Sequence, residues 1–172
     1  MKDDEPKSDT LALALGAILA RLWLAVRAIQ TGLEKYAGTK MSETAVEIDG
    51  QPNSYGLTDA AATKSYAADH YHGVPAALYD KFAHEPLMAE WALKIYDKVL
   101  GPALILLGLT ILLGVASRLS LFALGLLYIS LTWGLILIRE DSGVAWLAAH
   151  MILIVAALAL VRYDRVRILK KW

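Results

Sequence analysis

Two basic side chains and one imidazole stand in stretches that are otherwise almost free of charge. Arg21 and Arg27 interrupt Leu11–Ile29 (LALALGAILARLWLAVRAI), and His150 lies within Gly143–Val161. Ionisable groups in such surroundings are costly and default to a functional reading. Arg21 is about eleven residues into its run and His150 about eight into its own, so at ~1.5 Å per residue the two reach a similar depth from opposite ends. Such a pair could bind an anion or protonate a quinone oxygen. The alternative is packing, with Arg21 bonded to helix carbonyls or a carboxylate and His150 a satisfied core histidine. Arg27 shares a helical face with Gln30, Thr31 and Glu34, a polar stripe at the far end of the first run. Asp97 and the Arg139-Glu140-Asp141 turn are candidate partners for it. Arg27 and Arg139 would then hold a small anion such as a sulfur oxyanion, with Glu34 and Asp97 orienting the arginines. The competing reading is a charge network that only closes the bundle.

Other chemistry is weaker or excluded. The chain has no cysteine, which rules out disulfides, thiolate catalysis and iron–sulfur ligation by its own residues. Any redox reaction must therefore use a bound cofactor or a partner. Asp69-His70-Tyr71-His72, with His84 and Glu85, fits no strong metal-site spacing, and no metal is expected. Tyr96 reads as part of an interfacial aromatic belt, whereas Trp133 and Trp146 could line a flat ring. Small residues four apart, Ala12/Gly16/Ala20 and Ser130/Gly134, favour close helix contacts.

The elements that must position these residues are legible from hydropathy. Val99–Ala116, Leu119–Ile138 and Gly143–Val161 are uninterrupted apolar runs. Each approaches the ~20 residues needed to cross ~30 Å of hydrocarbon. With the first run they predict an all-α membrane protein of four spans, near 10–31, 97–116, 119–139 and 143–162. Lys2 and Lys7 precede span one, Arg118 lies between spans two and three, and Arg162, Arg165, Arg167, Lys170 and Lys171 follow span four. An even span count puts these on one side, and the positive-inside bias makes that side cytoplasmic. Residues 32–96 then form an external insertion. Within it, Thr44–Gln51 alternates and ends in a turn signal, suggesting a hairpin arm. Leu57–Asp69 is alanine-rich and capped by Thr58 or Asp59, suggesting a helix. Pro75 and Pro86 suit the first turns of two more helices. The expected picture is a mostly helical cap on the outer mouth of one membrane domain, with residues 1–9 a solvated tail.

These residues resemble the DoxX/DoxD superfamily of small four-span bacterial and archaeal membrane proteins. Arg21 followed by Gly32-Leu-Glu-Lys35 is similar to the family's first-helix arginine and G-x-x-K ending. Leu107-Gly108-Leu109 through Leu113-Gly114-Val115-Ala116-Ser117-Arg118 resembles the stretch before the cytoplasmic turn, and Gly143 with His150 is family-like. Asp97 stands where the family usually has glutamate, and the long 40–90 segment suggests the DoxD-like branch. The resemblance implies residence in the cytoplasmic membrane and thiosulfate:quinone oxidoreductase chemistry. In that chemistry two thiosulfates join as tetrathionate and membrane quinone takes the electrons. His150 and Arg21 would then serve the quinone, and Arg27, Glu34, Asp97 and Arg139 the anion. Two alternatives are a non-catalytic subunit, docked on a membrane or periplasmic partner or on further copies of itself, and a carrier of small anions. Nucleic acid is not among the expected partners.

Overall fold

A computed structural model describes residues 7–164, 166 and 168, and among these it forms five α-helices and two antiparallel ribbons. Four helices are long and apolar enough to cross a membrane: α1 (Lys7–Glu34), α3 (Glu90–Leu113), α4 (Ser117–Leu137) and α5 (Asp141–Leu160). Leu19, Leu106, Leu119 and Ile152 are all exposed, so the outer surface is as apolar as the core. Only lipid suits such a surface. The chain is a multi-pass membrane protein. The positions Lys2, Arg165, Arg167, Lys170 and Lys171, used above for orientation, lie outside the described residues. Of the expected solvated tail, residues 7–9 already belong to α1.

Short connections make the last three spans alternate in direction. Gly114 (φ 68°) ends α3 in the left-handed region, and Ala116 (φ 46°) shares it before α4 begins. Arg139 (φ 56°) does the same between α4 and α5. The packing order around the bundle is α1, α3, α4, α5, closing back on α1. Leu24, Ala25, Ala28, Leu104, Ile111, Leu121, Leu124 and Ile154 fill its centre.

The tightest seam joins α1 to α3, and glycine makes it. A Cβ at Gly108 would fall 2.6 Å from Ile29 Cγ1 and 3.0 Å from the Ala25 carbonyl oxygen; one at Gly32 would fall 3.0 Å from the Gly101 carbonyl oxygen. Backbone sits against backbone there, as small residues permit in membranes. Gly108→Val is therefore expected to destabilise the bundle by about 1–3 kcal/mol, the usual cost of overpacking. Reversible unfolding in mixed micelles would measure it. The small-residue stripes noted above serve other contacts: Gly16 faces Leu160, and Gly134 faces Phe82.

The segment between α1 and α3 departs from the expected helical cap. Its first half is a β-hairpin: β1 (Ala37–Ala45) pairs with β4 (Thr58–Tyr66), from Ala37 opposite Tyr66 to Ala45 opposite Thr58. The strand pair β2 (Glu47–Ile48) and β3 (Gln51–Pro52) tips it. Asp49 (φ 55°) and Gly50 (φ 74°) form the tight turn expected from the alternating run. Leu57–Asp69 is thus mainly strand, where a helix was expected. Its alanines suit either state, and cross-strand pairing with β1 decides, which no local signal announces. Asn53 closes the base of the tip, donating to the Val46 and Leu57 carbonyls and accepting from the Tyr55 and Leu57 amides. α2 (Ala76–Ala83) follows Pro75 as expected. Pro86 opens no separate helix; it precedes α3, which runs without a break from Glu90 into the bilayer.

Candidate functional site

α2 and the 73–75 segment roof one end of the bundle, and beneath them lies a cavity of about 530 Å³. This volume falls in the ~300–1,000 Å³ range of small-molecule sites. Its walls are apolar over most of their extent, with Leu78, Phe82, Leu100, Leu104 and Leu131 prominent. Polar groups cluster in two places. One is His150, with Tyr128 beside it; the other is Arg27, Thr31 and Lys35 at the close of α1.

His150 is 6% exposed, and its Nδ1 lies 2.8 Å from the Trp146 carbonyl oxygen one turn back. A carbonyl can only accept, so Nδ1 carries a proton. Nε2 is buried and has no partner among the described residues. It therefore offers a lone pair when the ring is neutral and a proton when the ring is charged. Tyr128 meets the imidazole edge-on, with centroids 5.9 Å apart, which holds the ring in place. An unpartnered polar atom at the wall of an apolar cavity is poised for a ligand atom.

The cationic end is built at the close of α1. Arg27 and Thr31 are four apart on one side of the helix, and Lys35 stands in the turn directly after its last residue, Glu34. Arg27 donates to Gln30 Oε1 at 3.0 Å, and the Thr31 hydroxyl donates to the Arg27 carbonyl. Among the described residues neither Arg27 nor Lys35 forms an ion pair. A second, more polar cavity of about 350 Å³ lies on the other side of this cluster. Arg27, Thr31, Lys35 and Pro75 border both spaces, while Gln30, Glu34 and His72 line the second alone.

Desolvation pushes the Lys35 ammonium below the ordinary lysine range, and the charge on Asp97 opposes this in part. The folded chain thus holds that proton less tightly than the unfolded chain does. Stability then rises with pH between the lowered native value and the ordinary one, because the unfolded state binds more protons there. Lys35→Met is expected to be more stable than the parent at neutral pH. The difference should shrink toward about pH 10, near the unperturbed lysine value. Unfolding midpoints of the two proteins across that range are the check.

The remaining candidates lie elsewhere. Arg21, 5% exposed, bonds Asp164 Oδ2 at 2.7 Å and also donates to the Val166 carbonyl. Its side chain leans toward the start of α1 and meets the chain just beyond α5, near where Gly16 faces Leu160. His150 is ten residues before Leu160, ~15 Å along the helix. Of the two readings of Arg21, the packing alternative, a bond to a carboxylate, is the one seen, and Arg21 is not brought to His150; depth along the sequence ignored the guanidinium's reach back down its helix. Glu34 does not orient Arg27. It accepts from Lys64 Nζ at 2.7 and 2.6 Å and from the Tyr66 hydroxyl, anchoring β4 to α1. Asp97 Oδ1 accepts from the Val74 amide at 2.7 Å and fastens the roof to α3. Arg139 occupies the α4–α5 turn and is not in the cavity wall, and Glu140 bonds Ser142 and pairs with Lys81. Tyr96, expected in the aromatic belt, bonds Ser130 Oγ at 2.7 Å and lines the cavity, as do Trp133 and Trp146.

Among the described residues no group of three or more His, Asp or Glu is gathered to hold a metal ion. His70 packs over Gly38, where a Cβ would fall 2.3 Å from the ring, and His72 lines the second cavity. Sequence reasoning passed over Asp164 as the partner of Arg21 and used Lys35 only as a motif position. Helical spacing gave no signal for Lys35, which the turn after α1 places. For Asp164 the available signal was a lone acid amid terminal arginines.

Fold and site together define a four-helix membrane protein with a roofed, amphiphilic cavity. Compared with protein-family models, with curated proteins and with solved structures, the chain matches none.

Proposed function

We propose that the protein is a quinone-linked membrane oxidoreductase of DoxX/DoxD type, which oxidises thiosulfate or a related sulfur anion. The observation that carries this reading is the pair of adjoining cavities with one cationic wall between them. A chain without cysteine has no thiolate to carry electrons or to hold an iron–sulfur cluster, so direct transfer is favoured when donor and acceptor lie nearly in contact. Adjoining spaces meet that requirement. The apolar cavity suits a quinone ring, with His150 Nε2 directed at one ring oxygen; the polar cavity suits a small anion held by Arg27 and Lys35.

The balance is simple. Two thiosulfate dianions lose one electron each and form the central S–S bond of tetrathionate. The quinone takes the two electrons and two protons and leaves as quinol. His150 can deliver one of those protons at Nε2 and recover it from water, and water supplies the other directly. The positive-inside bias of the sequence puts the roof, and with it the anion cavity, at the outer face of a bacterial or archaeal cytoplasmic membrane.

A second reading has its own support. The β1–β4 hairpin is exposed on both faces along most of its length, and an isolated two-stranded hairpin is at best marginally stable in water. Docking on another subunit would cover it, as a non-catalytic subunit requires. The test is quinone reduction by the purified protein in lipid nanodiscs with thiosulfate as sole donor. One quinol per two thiosulfates is expected. No reduction by a well-folded sample overturns the enzymatic reading in favour of the subunit.

A further inference from the structure

We propose that the ligand of the larger cavity enters sideways from the bilayer, through the cleft between α1 and α5, with Trp146 and Arg27 as its doorposts. This rests on the reading of that cavity as a quinone site. At the roofed end, named contacts seal three of the four clefts in the helix ring. Gly32 and Gly108 bring α1 and α3 to backbone contact. The Tyr96–Ser130 hydrogen bond ties α3 to α4, and Phe82 of α2 covers that seam against Gly134. Gly143 against Leu135 brings α4 to α5.

The fourth cleft is held at its opposite end. Gly16 with Leu160, and Arg21 with Asp164, join α1 to the end of α5, ~15 Å from His150. At cavity level the cleft presents Trp146, which is 66% exposed yet part of the cavity wall, and the half-buried Arg27. Trp146 lies one turn before His150 on the same side of α5, so a flat ring passing it arrives at Nε2. Such an opening selects a membrane-dissolved amphiphile, its ring inside and its apolar tail left among the lipid chains. A water-borne ligand would have to come through the roof.

The absence of cysteine allows a clean test. Trp146→Cys and, as a control, Ile152→Cys are made in the full chain, in nanodiscs, and labelled with a bulky pyrene maleimide. Ile152 is on the same helix, 71% exposed and outside the cavity wall. Stopped-flow quenching of the remaining tryptophans by a long-tailed quinone then reports entry, with Trp133 in the wall as reporter. The label at 146 is expected to slow association at least tenfold relative to the label at 152. Rates within twofold of each other overturn the portal and leave the cavity reading standing. If the quinone quenches neither labelled protein nor the parent, the cavity reading fails and the portal with it.

Discussion

Arg27→Gln is expected to reduce thiosulfate-dependent quinone reduction at least roughly 100-fold while leaving the bundle folded. Among the described residues Arg27 is the one guanidinium bordering both cavities, and it forms no ion pair; the Glu34 carboxylate in the polar cavity is held by Lys64. A preorganised charge aimed at an anion stabilises it without the reorganisation that water needs, and losing one such donor typically costs about 10²–10³ in rate. Glutamine preserves length and polarity, so its effect isolates the charge. A useful split accompanies the rate: the quinone's own affinity, read by tryptophan quenching, should change far less than turnover. Equal losses in both would place Arg27 against the ring instead of the anion. Unchanged turnover would remove it from the reaction.

Asp164→Leu is expected to destabilise the bundle by about 3–5 kcal/mol, the usual loss when one member of a buried ion pair is removed. Both side chains are nearly sealed, at 6% and 3% exposure, and among the described residues Arg21 Nε has no partner. Deleting the carboxylate leaves a guanidinium that cannot lose its proton and cannot reach water without opening the α1–α5 seam. The double variant Arg21→Leu with Asp164→Leu should recover most of the loss, because well-packed apolar pairs often replace buried ion pairs at little cost. Denaturation in mixed micelles gives the stabilities. Turnover supplies the second readout: with Arg21 remote from the cavities, the double variant should retain quinone reduction. A recovered fold without turnover would return Arg21 to the reaction.

The four spans were legible because membrane helices declare themselves by length and hydropathy alone, with no need of tertiary information. The hairpin tip was legible too, since Asp49-Gly50 is a turn with a local cause. What failed was whatever depended on a distant partner. The Thr58–Tyr66 strand owes its state to residues 37–45, and its alanines say nothing of them. At the site, the charged residues were visible as anomalies, but their directions were not. Arg21 looked level with His150 because a residue's height was taken for its charge's height. Glu34 and Asp97 looked like partners for Arg27, yet one belongs to Lys64 of the hairpin and the other to a backbone amide of the roof. Tyr96 was read by its depth alone; its side, toward Ser130 and the cavity, was not legible since hydropathy carries no azimuth. Spacing along α1 could have grouped Arg27 with Thr31, because within one helix the angle between residues is fixed, whereas Lys35 is placed by the turn that follows.

The tie between Arg21 and Asp164 spans 143 residues of chain, and this sets a schedule for biosynthesis. At ~5–20 residues per second, α1 leaves the ribosome on the order of 10 s before its counterion exists. Throughout that interval a helix otherwise fit for the bilayer carries an unmatched cation. It must linger at the membrane surface, or sit with its arginine drawn toward the headgroups, until the last helix arrives. Synthesis of Asp164 is then the event that seats the first helix, and until it is made α1 is kept waiting.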